Sequence, residues 1–176
     1  VTARALVTWR PSKCKWCDYV ATWIRHLVLQ LAADADPTLP RQSIHVTLES
    51  TLTFADLENA EEHLLAWIEG YRRGHTEALP VFEHASWKYA EALRGGEQAA
   101  DHGGASEGAK RLERAKKQAA TGYWGSDSSD HSFDRQSAHI QFCWRDEDPP
   151  ALAEFGEWAV RLLGPLHQSR AEEPAP

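Results

Sequence analysis

Residues 59–82, NAEEHLLAWIEGYRRGHTEALPVF, contain the most completely specified helix of this 176-residue chain. Asn59 is a favoured N-cap residue, and Glu62 three positions later predicts a reciprocal capping box. Gly74 predicts the end of the helix. We therefore expect a core helix around which the rest of the chain packs, with Trp67 and Tyr71 buried. Its inward face is predicted from apolar residues that recur every three or four positions, namely Ala60, Leu64, Ile68 and Tyr71, with Leu65 and Trp67 alongside.

The apolar pattern elsewhere predicts an α/β (α+β) fold. Alternating apolar and polar side chains, and a β-prone run at residues 5–9, predict short, mostly antiparallel strands flanked by three long helices. The strands are expected at residues 5–9, 44–48, 52–54 and 138–144. Helical periodicity places further helices at about residues 15–33, 86–93 and 106–120, and a last helix that Asp148 caps and Pro149 begins.

The length is that of one domain, which we place at residues 1–168. Residues 94–108, RGGEQAADHGGASEG, have five glycines and no apolar side chain larger than alanine, so we expect a mobile loop there. Ser106 is the expected N-cap of the helix that follows. Residues 169–176 are polar and predict a frayed tail. Because the chain opens at Val1 with a strand-like segment, we expect it to be the C-terminal piece of a longer protein.

Composition limits the classes of function. The formal net charge of -7 argues against a general polyanion binder, because non-specific nucleic-acid affinity comes from clustered Lys and Arg. Three cysteines and no long apolar run predict a reducing, cytoplasmic location with no membrane contact. Eight tryptophans are many for this length, and tryptophan is enriched at interfaces. Trp87 and Trp124 are therefore candidate partner contacts.

Two clusters of basic residues are candidate DNA contacts. One lies on the helix predicted at residues 106–120 and is the only dense basic cluster in the sequence. The other lies beside Trp9 and Trp16, and aromatic side chains among basic ones suit single strands. Either cluster could instead be a solvated surface, which is the commoner role of such residues. The candidate contacts are Arg10, Lys13 and Lys15 in the turn, and Lys110, Arg114 and Lys117 on the helix.

Cys14 and Cys17 form a C-x-x-C pair at the start of a helix, which admits a redox or a zinc interpretation. A thiolate near a helix N-terminus is stabilised by the helix dipole. For zinc, the remaining ligands would be Cys143 and His139, which on a strand would lie about 13 Å apart at roughly 3.3 Å per residue. One tetrahedral ion cannot reach both, so two ordinary reduced cysteines remain the simplest interpretation.

Signatures of catalysis are absent from the sequence. Metal-dependent nucleases on α/β cores use an acidic residue and an acidic-x-Lys pair, and none of the lysines has an acidic residue two positions earlier. No G-x-S-x-G elbow, phosphate loop or H-E-x-x-H helix occurs. Asp127, Asp130, His131 and Asp134 lack the glycine and glutamate of a calcium loop. We expect no catalytic residue and no metal site.

Several short motifs occur in an order that resembles a known family. The motifs are WRPS at 9–12, WIRHLV at 23–28, IEGYRRG at 68–74, LPVF at 79–82, YWG at 123–125, FCWR at 142–145 and LGPL at 163–166. In that order the chain resembles the C-terminal domain of RecC, the gamma chain of exodeoxyribonuclease V. The resemblance spans nearly the whole chain and is weakest at residues 94–108.

The resemblance implies a restriction-endonuclease-like core that has lost its catalytic residues, with its first strands lying before Val1. It implies a noncatalytic structural and DNA-guiding segment of a RecBCD-type helicase–nuclease, in double-strand-break repair by recombination. The partners would be DNA, the helicase–nuclease (beta) chain and the helicase (alpha) chain. ATP and Mg would belong to those partner chains and no cofactor to this segment. The alternatives are a small thiol redox protein using Cys14 and Cys17, and a subunit-assembly module without DNA contact.

Overall fold

A computed structural model describes residues 4–94, 105–125, 133–145 and 147–174. These residues form six α-helices and one four-stranded sheet, which confirms the mixed α/β class. Backbone contacts divide the chain into two compact units, residues 1–69 with 168–176 and residues 70–167. We call them the first unit and the second unit. The single domain expected at residues 1–168 stays a prediction.

The first unit contains the sheet, whose strands follow one another in the order β1, β2, β3, β4. They are β1 Leu6–Trp9, β2 Ser43–Val46, β3 Ser50–Phe54 and β4 Arg170–Pro174. The antiparallel pairing expected of most strands is confirmed for β2 and β3, which form a hairpin. Strand β1 pairs parallel to β2, and β4 pairs antiparallel to β3. A parallel pair needs a crossover connection, which a helix between β1 and β2 supplies.

That crossover is helix α1, Trp16–Ala35, close to the predicted bounds. Its N-terminus is held by Asp18, whose carboxylate accepts a 2.9 Å hydrogen bond from the Lys15 amide. Trp23 and Leu27 are fully buried, and the Trp23 ring lies 5.2 Å from the ring of Phe54 on β3. Burying such aromatic side chains stabilises the unit by about 1.5–3 kcal/mol each.

The frayed tail predicted at residues 169–176 is wrong for Arg170–Pro174, which form strand β4. Glu172 accepts hydrogen bonds from the Tyr19 hydroxyl at 2.7 Å and the Ser50 hydroxyl at 2.9 Å. The Arg170 guanidinium lies 5.2 Å from the centre of the Tyr19 ring. The strand lacks an apolar pattern because charged side chains are common on edge strands, where they discourage pairing with other molecules.

Helix α2, Ala60–Gly74, has the predicted bounds but a different buried face. Ala60, Ala66 and Gly70 are buried, whereas Tyr71 is 71% exposed, so its predicted burial is wrong. Small residues face inward because they allow close packing, as at Gly70, where a Cβ would lie 3.4 Å from the Trp158 ring. The capping box predicted at Asn59 also needs correction. A capping box requires extended backbone at the N-cap residue, whereas Asn59 has a left-handed φ of 61°.

The second unit is mainly helical. Its core combines aromatic rings with alanines, which bring helix backbones close together. The helices are α3 Glu83–Arg94, α4 Ala105–Trp124, α5 Ala138–Trp144 and α6 Ala153–Ser169, with 3-10 turns at Asp134–Gln136 and Pro149–Ala151. The core residues are Phe82, Ala85, Tyr89, Ala115, Ala119, Tyr123, Phe155 and Ala159.

Three predictions in this region need correction. The strand expected at residues 138–144 is helix α5, because Ile140 and Trp144 are four apart and both pack against the core. Helix α4 begins at Ala105, so Ser106 lies inside it and the predicted loop is too long at its end. Residues 95–104 of that loop lie outside the described residues. The last helix begins at Ala153, after a 3-10 turn that starts at Pro149.

Candidate nucleic-acid interface

Helix α4 carries half of the predicted DNA contacts, and its inner face fixes its position in the second unit. Ala115, Ala119 and Tyr123 are fully buried along that face. At Gly122 an added Cβ would lie 2.8 Å from backbone atoms of His84 and Ala85, closer than such atoms approach. The backbones of α3 and α4 therefore meet at a point where no larger residue fits.

The outer face of α4 is basic. Lys110, Arg114 and Lys117 are exposed, and their spacing of four and three residues places them on the side opposite the buried alanines. Lys110 lies 4.0 Å from Glu107, and Lys116, on another side of the helix, pairs with Glu113 at 3.2 Å. Among the described residues, Arg114 and Lys117 form no ion pair. We call Lys110, Arg114 and Lys117 the basic stripe.

Trp124, predicted as a partner contact, ends α4 and is 41% exposed. Its indole N–H donates to an Asp148 carboxylate oxygen at 3.3 Å, and the Arg135 guanidinium lies 4.3 Å from its ring centre. Trp87, the other predicted contact, is half-buried on α3 with its ring 4.2 Å from that of His167. Trp124 is thus the more accessible of the two.

The basic residues of the first unit are engaged differently. Arg10 donates to both carboxylate oxygens of Asp18 at 2.8 Å, and this hydrogen bond raises the pKa of Arg10. Lys13 pairs with Glu49 at 2.6 Å. Lys15 is exposed and precedes α1. Two of the three cations predicted to contact DNA are therefore already neutralised by carboxylates within their own unit.

Cys14 of the C-x-x-C pair lacks the setting of a reactive thiol. Helix α1 begins at Trp16, so Cys14 precedes it, and burial raises the pKa of Cys14 to about 11. The stabilised thiolate that a redox role for Cys14 would need is absent. The 13 Å separation expected for His139 and Cys143 is wrong, because they lie one turn apart on α5. Even so, no metal-binding group of three or more His, Cys, Asp or Glu occurs among the described residues.

Asp134 has a structural role that the sequence did not predict. Its buried carboxylate accepts hydrogen bonds from the backbone N–H groups of His84 at 3.0 Å and Ala85 at 2.7 Å, at the N-terminus of α3. It also lines a groove of about 570 Å³ beside Phe82 and Ile140. The carboxylate therefore serves as a helix cap, and its partners fifty residues away leave no local signal in the sequence.

A cluster of buried polar groups in the first unit was also missed. The ring of fully buried His26 lies 3.0 Å from the Ser43 hydroxyl, and Gln30 donates to the Arg41 carbonyl at 2.7 Å. Burial lowers the pKa of His26 to about 4, so the ring is neutral at pH 7. The polar residues at the start of β2 were the signal that the sequence offered for this cluster, but they do not show that their hydrogen-bond partners lie on α1.

Comparison with known proteins identifies the family. The model of the RecC C-terminal domain matches residues 1–94, just over half of the chain. The chain belongs to the RecC C-terminal domain family. The RecC match includes the motifs at residues 9–12, 23–28, 68–74 and 79–82, and it ends before the three motifs that follow. A search of curated proteins finds no match. None of the described helices combines the length and apolarity that crossing a bilayer requires.

Proposed function

We propose that this chain is a noncatalytic structural and DNA-guiding segment of a RecBCD-type exodeoxyribonuclease V, acting in double-strand-break repair by recombination. Membership of the RecC C-terminal domain family supports a place in that complex. The helicase–nuclease and helicase chains would then be its partners and would supply ATP and Mg chemistry. The family resemblance implies a restriction-endonuclease-like core, and the absence of an acidic-x-Lys pair from this sequence agrees with a core without catalysis.

The basic stripe is the observation that carries the DNA-guiding role. Its three cations point away from the buried face of α4, and two of them form no ion pair with any described residue. Cations that are not neutralised within the protein can replace the counterions of phosphates, which supplies binding energy even in a chain of net charge -7. The stripe therefore offers a local contact for a phosphate backbone.

The experiment that tests this role is binding of the full chain to a labelled forked oligonucleotide, measured by anisotropy at several salt concentrations. Changing Lys110, Arg114 and Lys117 together to Ala should weaken binding at least tenfold. It should also reduce the slope of log K against log salt by about 2, the share of three phosphate contacts on a single strand. Lys116→Ala is the matched control on the same helix, because Lys116 is paired with Glu113. Unchanged affinity and slope in the triple variant would contradict the proposal.

The second candidate is a subunit-assembly module without DNA contact. Tyr71 and Phe142 support it, because their side chains are 71% and 81% exposed and large exposed apolar residues are favoured at protein interfaces. This candidate predicts no binding of the wild-type chain to the forked oligonucleotide at low salt. Detectable binding that depends on the basic stripe would favour DNA guiding over assembly alone.

A further inference from the structure

The outer face of α4 continues beyond the basic stripe to an aromatic ring. Thr121 and Trp124 follow Lys117 at spacings of four and three residues, so they extend the same helix face. A rise of about 1.5 Å per residue places Trp124 roughly 10 Å beyond Lys117 and about 21 Å from Lys110 along the helix axis. A ligand lying along the stripe would therefore reach Trp124.

The Trp124 ring is held in one orientation while part of it stays open. Its indole N–H is bonded to Asp148, and the Arg135 guanidinium covers the ring at 4.3 Å from its centre. The Tyr123 ring meets it edge-on, at 5.1 Å between ring centres and an angle of 82°. With 41% of the residue still exposed, Trp124 is an oriented aromatic residue of which a part remains accessible to solvent. Arg135 also adds a positive charge at this end of the face.

Resting on the proposed function, we propose that Trp124 and Arg135 form a base-stacking platform, and that the ligand of this face is single-stranded DNA. Cations that follow a phosphate backbone and end at an aromatic ring are the combination that holds single strands. An unpaired base has a free face to place on the ring. In a duplex each base is stacked between its neighbours, so a duplex would offer phosphates to the stripe and no base to Trp124.

The test compares two single strands of equal length, a labelled oligothymidylate and a strand of abasic sites, which have the same phosphates. The wild-type chain should bind the strand with bases about tenfold more tightly, the gain that one stacked base gives. Trp124→Ala should bring the two affinities together, and Trp124→Phe should keep most of the preference. The salt dependence should stay as in wild type, because no cation is removed.

Each outcome bears on one proposal. Equal binding of both strands by the wild-type chain, or a preference that survives Trp124→Ala, would overturn the platform and leave the basic stripe standing. If Trp124→Ala lost its fold, binding of both strands would fall together, and Trp124→Phe would then decide the question. Loss of the preference in a folded Trp124→Phe variant would overturn the platform. If the triple Ala variant of the stripe binds both strands as tightly as wild type, the proposed function itself fails. Displacement of the strand by polyglutamate as efficiently as by unlabelled oligothymidylate would assign the face to an acidic peptide.

Discussion

The two basic clusters of this chain are both candidate DNA contacts in the sequence, and they differ in the structure. In the first unit, Arg10 and Lys13 form ion pairs with Asp18 and Glu49, so their charges are paired within the protein. On α4 of the second unit, Arg114 and Lys117 form no ion pair among the described residues. A basic cluster becomes a candidate DNA contact only when the protein itself has not neutralised it, and that depends on carboxylates that the fold brings close.

The first unit also holds His26 without charge, and this predicts the largest effect on stability. The unfolded chain takes up a proton on His26 near pH 6.5 and the folded chain only near pH 4. Acidification therefore favours the unfolded state, and this contribution to stability is lost as the pH falls from about 6.5 to 4. The difference in pKa corresponds to about 3 kcal/mol in the free energy of unfolding.

Urea unfolding at a series of pH values measures this loss. His26→Gln should remove much of the decrease in unfolding free energy between pH 6.5 and 4, whereas His75→Gln, at an exposed position, should keep it. Burial also lowers the pKa of His45, so a residual decrease of the same sign is expected in His26→Gln. The same decrease in wild type and His26→Gln would show that His26 is not the group responsible.

The second unit depends instead on close packing behind the basic stripe. Gly122→Ala would place a Cβ 2.8 Å from the backbone of α3, so α3 and α4 must move apart. We expect a loss of about 2 kcal/mol in the free energy of unfolding, as for other overpacked cores. Gly108→Ala on the same helix has open space around it and should add about 0.5–1 kcal/mol of stability. Equal effects of the two substitutions, measured by urea unfolding, would contradict the close approach of the two helices.

The sequence predicted the first unit better than the second, for physical reasons. Helix α1 and the hairpin of β2 and β3 have apolar residues at a regular spacing, and the structure confirms them together with β1. In α5 the period of the apolar residues was ambiguous. Apolar residues at every second position indicate a strand, but alternate members of such a series are four positions apart, which is also a helical spacing. In α2 apolar residues occur on several sides, so the choice of Gly70 over Tyr71 as an inward residue depended on Trp158 of another helix.

The candidate site, too, could be predicted only in part from the sequence. The composition of α4 predicted its basic residues, and the helical period places Lys110, Arg114 and Lys117 on one face. What the sequence could not supply is the partner of each charge. Arg10 meets Asp18 across a turn, and Asp134 meets the start of α3 from fifty residues away. Such pairings depend on the folded backbone, whereas propensity and periodicity are local properties.

The smallest expected effect tests the comparison of the two basic clusters most directly. Changing Arg10, Lys13 and Lys15 together to Gln removes as much positive charge as the triple change in the basic stripe, so long-range electrostatics shift equally in both variants. Because Arg10 and Lys13 are already paired with carboxylates, we expect less than a twofold change in affinity for the forked oligonucleotide, with a lower thermal unfolding temperature from the loss of the Asp18 pair. A loss of affinity as large as that of the stripe variant, measured at the same salt, would show that internal pairing does not distinguish the clusters and that net charge governs binding.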